Sequence, residues 1–523
     1  MYHVEKINIK PKHPLFEFCD TATQMTKNMY NVANFYIRNT MTGLAKEADK
    51  RTSNENEVLQ IVQEGIHTHN EKALKKQANG KKAVLFDLPT REHWFLNYYA
   101  LDAIFKESDN VDYRSHHAHV IQAAIRECVQ AWNSYFELIK KHGSNPDSLN
   151  GMPKIPKYIH SDHKTAVFSN IACKIQNGLL RFPKCREKLD VSKLPHVADK
   201  LIEVRVVPYC GIYQIQMITD DGIKADKKTE CTSVKDIPSE AGVAMLDPGV
   251  RNFATIVDNK GNTPIIVKGE VLISRNQWYN RQMSALRSIQ MKGHDPKDYH
   301  PKTTKWMNAL SRKRDAFLTD TFYKMAHFIC RKLNERNISY LIIGKNSGWK
   351  QNVDMGHKNN QEFVSIPHAI FFSILTTVSI QYSIQIFEQE ESYTSKASFL
   401  DKDTMPETLK NSDEVVFSGK RIRRGLYQSG EGILINADVN GAANIGRKAA
   451  ERIFENIQDF SYLTKSVTVC KFTDLNRSAK RRKRIVTKPK AQNHKVFPVT
   501  GSSGCVSTPC LITQHEARDF RHE

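Results

Sequence analysis

The chain has 523 residues and a formal net charge of +21 at pH 7. This length exceeds a single compact core and predicts several domains. A positive excess on this scale favours a surface that binds a polyanion, although charge that only aids solubility is the competing interpretation. The sequence contains no long apolar stretch, signal peptide or lipidation motif that would indicate a membrane protein. The ten cysteines are scattered singly, which fits reduced thiols rather than a disulfide framework.

The first part of the chain has the apolar spacing of long helices. Phe16–Arg38 and His117–Ile139 place apolar residues at helical intervals, and such stripes are typical of a core. Between them, the polar and lysine-rich run Asn70–Lys82 predicts a loop or an RNA-facing surface.

A basic segment and several short β-type runs follow. Gly151–His160 reads GMPKIPKYIH; its two prolines, alternating with Lys154 and Lys157, predict an extended basic strap. The β-type runs predict a small β-domain, built as a barrel, into which the helical segment is inserted. These runs are Ala166–Phe168, Leu179–Phe182, Ile202–Val207 and Tyr213–Ile218.

From Ala241 onward strands and helices alternate, which predicts an α/β layer after a polar linker at Asp220–Glu240. The layer opens with a β-meander that turns at Asp258–Gly261. After about Asp459 the composition turns basic and predicts a mobile tail containing the cluster Arg477–Arg484. The predicted elements are Val243–Leu246, Phe253–Val257, Thr263–Val267, Arg275–Gln290, Lys305–Glu335, Tyr340–Ile343, Ile366–Tyr382, Ile384–Phe387 and Ala437–Phe454.

Two aspartates in this layer are candidate metal ligands. Asp247 ends an apolar strand in VAMLDPGVRNFATIVDNKG, and Asp438 opens the helix in NADVNGAANIGRKAAERI. Carboxylates hold the hard Mg²⁺ ions that neutralise charge in phosphodiester hydrolysis. Either residue alone could be a turn residue or a helix cap. A helix cap alone would not require the small residues Gly441–Ala443. Such residues let a helix lie close against a sheet.

The motifs DPGVRNFAT and DVNGAANI resemble the first and third RuvC motifs of TnpB proteins, of their eukaryotic Fanzor relatives and of type V CRISPR effectors. NVANFYIR, AWNSYF and GMPKIPKY are similar to the N-terminal signatures of TnpB. YTSK at Tyr393–Lys396 and GKRIRRGLY at Gly419–Tyr427 resemble its C-terminal half. The resemblance extends over roughly residues 14–450.

Two departures from the family pattern bear on activity. Most TnpB proteins carry a catalytic glutamate at the end of the central strand, where this chain has Gly344 in YLIIGKNSGWKQ. The zinc-ribbon cysteines that usually follow the Tyr-Thr-Ser element are also missing. The site is therefore either inactive or takes its glutamate from elsewhere.

An acidic cluster offers that glutamate. Glu388, Glu390 and Glu391 precede SYTSK at the end of the predicted strand Ile384–Phe387, which should run beside the strand that bears Asp247. The order resembles the rearranged site of Fanzors and some TnpB relatives. That resemblance implies Glu391 as the third catalytic and metal-binding residue, with Glu390 in reserve. A solvated acidic cluster that ends a strand is the alternative.

Basic residues around these carboxylates are expected to bind nucleic acid. Three arginines stand between Glu391 and Asp438 in the sequence and suit phosphate binding. An aromatic residue between two lysines follows the central strand and suits stacking on an unpaired base, although simple packing explains the aromatic equally well. With the strap lysines, the predicted set is Lys154, Lys157, Lys345, Trp349, Lys350, Arg421, Arg423 and Arg424.

The resemblance implies a multidomain α+β fold, with an RNase H-like (RuvC) α/β nuclease domain after a small β-barrel domain that carries a helical insertion. The wedge-like barrel would take residues 1–15 and 141–225, and the helical recognition insertion residues 16–140. The nuclease domain would take residues 241–455, and a basic, mobile tail residues 456–523.

The function implied is that of an RNA-guided DNA endonuclease that cleaves target DNA next to a short adjacent motif. Its partners would be a guide RNA and target double-stranded DNA, without a membrane, and its cofactor Mg²⁺ or Mn²⁺, with no zinc expected. The alternatives are a catalytically inactive RNA-guided regulator and an unguided structure-specific nuclease. The expected location is the cytoplasm, with the nucleoid, in a prokaryote and the nucleus in a eukaryote. The oligomeric state stays open.

Overall fold

The structure is a computed structural model that describes residues 2–149, 151–222, 231–295, 299, 301–345, 366–406 and 416–475. These residues form two compact units, with the division between residues 225 and 226. No helix in the described ranges is long and apolar enough to cross a membrane.

The first unit contains a helical part with its own core. Trp132 is fully buried there, and its Nε1 donates a hydrogen bond to Asn34 Oδ1 at 2.9 Å, so the indole polar group is satisfied inside the core. Both predicted long helices are confirmed, and each is longer than predicted. The helices are α1 (Phe16–Ala45), α2 (Ser53–Ala78), α3 (Tyr98–Glu107), α4 (Val111–Arg114) and α5 (Ala118–Ser144).

The prediction of a loop at Asn70–Lys82 is wrong as far as Ala78, because α2 continues through it. Val58, Val62 and Ile66 supply a buried stripe at helical spacing, and the following lysines, glutamate and alanines have high helix propensity. A lysine-rich run can therefore be the exposed end of a helix whose apolar face lies further upstream.

The predicted strap at residues 151–160 has no helix or strand, and part of it contacts α1. The Asn31 side chain accepts a hydrogen bond from Ile159 N at 2.8 Å and donates one to Ile159 O at 2.9 Å. Asn34 Nδ2 donates to Pro156 O at 3.1 Å. Two asparagines of α1 thus satisfy backbone groups of a segment that has no helix or strand partners of its own.

The β-part of the first unit consists of two antiparallel sheets. One has the order β1-β7-β6-β2 and the other the order β3-β4-β5. Because β1 and β2 stand at opposite edges among the described strands, a closed barrel is not confirmed. The strands are β1 (Tyr2–Ile9), β2 (Ala166–Ser169), β3 (Lys174–Gln176), β4 (Leu179–Arg181), β5 (Lys188–Asp190), β6 (Lys200–Tyr209) and β7 (Ile212–Asp220).

The second unit is an α/β layer, as the alternation predicted. Its strands are β8 (Val243–Pro248), β9 (Asn252–Asp258), β10 (Ile265–Lys268), β11 (Tyr340–Gly344), β12 (Gln385–Gln389), β13 (Lys420–Arg423), β14 (Leu426–Gln428), β15 (Leu434–Asn436) and β16 (Thr468–Cys470). Its helices are α6 (Glu270–Met291), α7 (Lys305–Glu335), α8 (His368–Ile380), α9 (Ala437–Ala449) and α10 (Ser461–Lys465).

The main sheet has the order β12-β11-β8-β9-β10-β16. The predicted meander is confirmed, since β8, β9 and β10 pair antiparallel. The expectation that β12 runs beside β8 is wrong: β11 lies between them and pairs parallel with both. Because the three strands are parallel, their C-terminal ends still meet at one edge of the sheet.

Both faces of this sheet are covered, which explains why its central strands are apolar without alternation. Ala244 and Leu246 of β8 belong to the core on the side of α7 and α8, whereas Val243 and Met245 belong to the core on the side of α9. Side chains of a strand alternate between the two faces, so Asp247 faces the α9 side.

The prediction of a mobile tail after about Asp459 is wrong for residues 459–475. β16 pairs parallel with β10, and Leu463 and Cys470 are buried. These elements are too short to produce a periodic pattern, and their stability comes from packing against the sheet. The cluster Arg477–Arg484 lies outside the described residues.

A capping box at the start of α2 yields a stability prediction. Thr52 Oγ1 accepts from Glu55 N, and the Glu55 carboxylate accepts from Thr52 N at 2.8 Å and from Lys46 Nζ at 2.8 Å. The hydrogen bond from Lys46, with those from Thr42 and Thr52, lowers the pKa of Glu55 from 4.5 to about 2. Its stabilising contribution is therefore present above pH 4.5 and is lost as the pH falls towards 2.

We expect Thr52→Ala to lower the free energy of unfolding by about 1 kcal/mol, because one orphan N–H of the helix loses its acceptor. Glu55→Gln should also destabilise the protein at pH 7, and the difference from the unmodified protein should disappear near pH 2, where Glu55 itself is protonated. Urea unfolding followed by circular dichroism measures both effects. A Glu55→Gln difference that does not change with pH would contradict the assignment.

Candidate active site

Asp247 is the next-to-last residue of the buried strand β8, and a tight turn follows the strand. A Cβ atom on Gly249 would lie 2.3 Å from Asn252 O, so this turn accepts only glycine. Burial, and then the nearby charges of Glu391 and Asp438, raise the pKa of Asp247 well above its usual range, while Arg421 acts in the opposite direction. Asp247 is therefore a carboxyl group that lacks sufficient compensation for its negative charge among its protein neighbours.

Asp438 lies in the first turn of α9, but it is not the cap of this helix. The cap is Asn436, whose Oδ1 accepts from Asp438 N at 3.0 Å and from Val439 N at 3.3 Å. The Asp438 carboxylate instead accepts hydrogen bonds from Asn252 Nδ2 at 2.5 Å and from Arg421 Nη2 at 3.3 Å. The capping interpretation of Asp438 is thus excluded, and its carboxylate points towards β9 and the β13 arginine.

Glu391 stands two residues beyond the end of β12, and its carboxylate occupies the space that Gly344 leaves open. A Cβ atom on Gly344 would lie 2.5 Å from Glu391 Oε2. Burial, and then the charge of Glu390, raise the pKa of Glu391 to about 7, while Lys448 acts in the opposite direction. The glycine at the usual glutamate position is therefore the feature that admits a glutamate from another strand.

Glu390 is directed elsewhere. It accepts from Lys448 Nζ at 2.5 Å and from Ser392 N at 3.0 Å, and Ser392 Oγ also donates to it. Burial acts to raise the pKa of Glu390, but the hydrogen bonds from Lys448 and Ser392 outweigh burial and hold the pKa below its usual range. The structure brings Glu391, rather than Glu390, to Asp247.

Small residues of α9 make room for the carboxylates. A Cβ atom on Gly441 would lie 3.0 Å from Asp247 Oδ2, and one on Gly446 would lie 2.7 Å from Met245 Cγ. The close approach that the run Gly441–Ala443 predicted is confirmed. Helix α9 therefore lies on the sheet at a distance that larger side chains would not permit.

Two buried asparagines of α9 fix the segment that follows Glu391. Asn440 Nδ2 donates to Ala397 O at 2.8 Å, and Asn440 Oδ1 accepts from Phe399 N at 3.0 Å. Asn444 Nδ2 donates to Thr394 O at 2.9 Å and to Ala397 O at 2.8 Å. Because these bonds tie the Tyr-Thr-Ser segment to the helix that bears Asp438, they set the position of Glu391 relative to Asp438.

The predicted nucleic-acid-binding residues do not all meet at this site. Arg421 does, through its hydrogen bond to Asp438, and Arg423 and Arg424 are exposed near it on the β13–β14 hairpin. Lys345 forms an ion pair with Glu388 at 2.7 Å. The remaining predicted residues lie elsewhere or are not described: the exposed strap lysines Lys154 and Lys157 belong to the first unit, and Trp349 and Lys350 lie outside the described residues.

Sequence reasoning missed Asn252 and Lys268. Lys268 Nζ donates to Asn252 Oδ1 at 2.7 Å, and Asn252 passes a hydrogen bond on to Asp438. The signal for Asn252 was present, since it is a polar residue inside the motif DPGVRNFAT. Lys268 had no such signal, because only the pairing of β10 with β9 places it beside Asn252.

The donor set fits a hard divalent cation. Three carboxylates supply oxygen ligands. Burial raises the pKa values of Asp247 and Glu391, and the charges of Glu391 and Asp438 raise that of Asp247 further, a cost that a bound cation would reduce. Among the described residues, these three do not form a group with all ligand atoms within 4.8 Å of one another.

Fold and site thus define an α/β layer with a carboxylate cluster at the C-terminal edge of its parallel strands. Residues 228–350 match the family model OrfB_IS605, described as a probable transposase. These residues, which include Asp247 and Gly344, are similar to the OrfB family, and the resemblance is confirmed there for the motif DPGVRNFAT. Glu391 and Asp438 lie beyond the match. No curated protein matches the chain.

Three solved structures show some likeness to the chain. A Cas12f1–sgRNA–target DNA complex is 15% identical, with 85% of this chain and 99% of that chain covered and a TM-score of 0.29. A CRISPR–Cas12f ternary complex is 14% identical, with 74% and 80% covered and a TM-score of 0.28. The mini-RNA-guided endonuclease CRISPR-Cas_phi3 is 11% identical, with 90% and 94% covered and a TM-score of 0.34. These TM-scores are too low to establish a shared fold.

The space at Gly344 can be tested by filling it. A Cβ atom there would also lie 2.6 Å from Ile445 Cδ1, so Gly344→Ala forces the side chains of Glu391 and Ile445 to shift. We expect the free energy of unfolding to fall by about 1–3 kcal/mol through overpacking. Gly143→Ala is the matched control, since a Cβ on this helical glycine meets nothing within 4 Å. Equal stability of the two variants, measured by urea unfolding, would contradict the packing described here.

Proposed function

We propose that this protein is an RNA-guided DNA endonuclease of TnpB type. Its second unit would be an RNase H-like (RuvC) nuclease domain, and Asp247, Glu391 and Asp438 would hold Mg²⁺ or Mn²⁺. One observation carries the proposal: the Glu391 carboxylate occupies the space left by Gly344, so a carboxylate stands where the family resemblance expects a glutamate side chain.

The neighbouring residues hold the proposed metal-binding carboxylates in fixed positions, which supports the proposal. When bound, divalent ions supply charge neutralisation on the attacking and leaving oxygens of a phosphodiester. Asn252 and Lys268 fix the orientation of Asp438, and Asn440 and Asn444 fix the segment after Glu391. Arg421 donates a hydrogen bond to Asp438, and its guanidinium group could also bind a phosphate oxygen at the same edge of the sheet.

The proposed partners are a guide RNA and target double-stranded DNA. The net charge of +21 suits a polyanion, and the Cas12f1 structure named above is a complex with sgRNA and target DNA. In the proposed reaction, base pairing selects the sequence, and the protein reads duplex shape and a short adjacent motif. Exposed Arg423, Arg424, Lys154 and Lys157 would contact phosphates.

The second candidate is a guided DNA-binding regulator without cleavage. It is favoured by Gly344, which offers no ligand at the usual glutamate position. The position of Glu391 argues against it, because this glutamate supplies a carboxylate at the same place. The absent ribbon cysteines concern a different element and make a ribbon-type zinc unexpected in either case.

Sequencing the RNA that co-purifies with the protein tests the guided function. We expect one abundant species that adjoins the gene of this protein. Plasmid cleavage with that RNA should require Mg²⁺ or Mn²⁺, and Asp247→Ala and Asp438→Ala should each abolish it while RNA and DNA binding stay nearly intact. Random cellular RNA would remove the guided reading, and full cleavage by either variant would remove the proposed site.

Neighbouring glutamates allow a sharper test of the third ligand. Glu391→Gln keeps the size of the side chain and removes its charge, so the cleavage rate should fall by roughly 100-fold or more. Glu390→Gln and Glu388→Gln are matched controls, since these carboxylates form ion pairs with Lys448 and Lys345. Their effect on the rate should be mild. A large loss with Glu390→Gln and none with Glu391→Gln would reverse the assignment.

A further inference from the structure

One end of the four-stranded sheet in the first unit gathers histidine and aspartate side chains. Strand β1 begins, β7 ends and β6 begins at this end, since Tyr2 pairs with Asp220 and Lys200 pairs with Asp220. His3 lies near the start of β1, Asp221 lies just past β7, and Asp199 lies just before β6. His196 precedes Asp199 by three residues in the loop that leads into β6.

The side chains converge closely at this end of the sheet. His3 Nε2 lies 2.8 Å from Asp221 Oδ2, and His196 Nδ1 lies 2.9 Å from Asp199 Oδ2. The two imidazole rings are stacked, with centroids 3.7 Å apart and 4° between their planes. One ligand atom each from His3, His196 and Asp199 lies within 4.8 Å of the other two. In the described part of the chain, this is the group of metal-binding side chains that meets this criterion.

The chemistry of the group is that of a transition-metal site. Two imidazole nitrogens and one carboxylate form a set typical of Zn²⁺, whereas Mg²⁺ prefers oxygen ligands. Asp221 holds one ring nitrogen of His3, which is how carboxylates commonly orient a metal-binding histidine and set its tautomer. Because the nitrogen lone pairs of an imidazole lie in the plane of its ring, the two stacked rings must turn relative to each other for one ion to contact both.

We propose that His3, His196 and Asp199 bind one Zn²⁺ ion, with Asp221 as the residue that orients His3. The ion ties the edge strand β1 to the loop before β6, across the end of β7. Strand β1 is held in the sheet by β7 alone among the described strands, so a second attachment at its start limits fraying.

This site is independent of the proposed nuclease function, because it uses residues of the first unit only. It also differs from a zinc ribbon, since it contains no cysteine. The sequence-based expectation of a zinc-free chain rested on the missing ribbon cysteines, and this site would make that expectation wrong for an unrelated reason.

The experiment uses the full chain without a histidine tag, stripped with EDTA and then equilibrated with Zn²⁺ in the presence of excess Mg²⁺. The Mg²⁺ occupies oxygen-rich sites, so elemental analysis counts the nitrogen-containing site. We expect one Zn²⁺ per chain, a higher melting temperature with Zn²⁺ and slower hydrogen exchange of the β1 amides. The proposal would be overturned if the protein retained no zinc. It would also be overturned if Zn²⁺ changed neither the melting temperature nor the exchange of the β1 amides, which is the result expected of two simple His–Asp ion pairs.

Variants locate the ion. His196→Ala should weaken Zn²⁺ binding by more than about 100-fold, and Asp221→Asn by roughly 10- to 100-fold, because the latter removes only the orienting acceptor. His160→Ala, at an exposed histidine of the same unit, should bind Zn²⁺ as the unmodified protein does. Circular dichroism without metal checks that each variant is folded. Zn²⁺ retained at full affinity by both His196→Ala and Asp221→Asn would overturn the assignment.

Discussion

The closeness of α9 to the central strands is the constraint on which the second unit depends. Three glycines mark it: Gly344 on β11, and Gly441 and Gly446 on α9 each face an atom that a Cβ would meet at 3.0 Å or less. Since protein interiors are close-packed, a helix can approach a sheet this far only where side chains are missing from the contact. The approach brings Asp438, at the start of α9, to the edge where β8 ends in Asp247.

Holding carboxylates together in a buried place has a cost, and the surrounding packing offsets it. Like charges near one another and removal from water both favour the neutral form, which is why the pKa values of Asp247 and Glu391 are raised. Large apolar cores cover both faces of the sheet. In addition, Asn440 and Asn444 donate hydrogen bonds to the loop after Glu391. The second unit therefore stays folded although the buried carboxylates of the site lower its stability.

Local patterns predicted most of the fold, and non-local contacts account for the errors. The meander, both long N-terminal helices and the strand ending in Asp247 follow from apolar periodicity and turn residues. The order of β12, β11 and β8 could not be read from the sequence, because the pairing of strands that lie far apart in the chain leaves no local signal. The segment Asn70–Ala78 and residues 459–475 are polar in composition, yet packing orders them: the apolar face of α2 lies upstream of the first, and the second packs against the main sheet.

The candidate site shows the same division. Asp247 and Asp438 stand in recognisable motifs, and Gly344 was visible as a departure from the family pattern. The Glu391 carboxylate, however, occupies the space beside Gly344 because the ends of two strands meet and Gly344 has no Cβ atom. This arrangement depends on the three-dimensional structure and has no signal in the sequence. The same holds for Lys268 and Asn252, joined by the register of β9 and β10, and for His3 and His196, which lie in distant segments.

The sign of charge at the site is opposite to that of the chain as a whole. A net charge of +21 attracts a polyanion, yet the cluster itself presents carboxylates, with Arg421 as the cation that acts on Asp247. A phosphate brought to Asp247 would therefore be repelled unless cations stood between them. In the proposed nuclease the exposed arginines and lysines would hold the strand, and metal ions would be required for its final approach. Binding and cleavage would then depend on different residues, so carboxylate substitutions can remove one and leave the other.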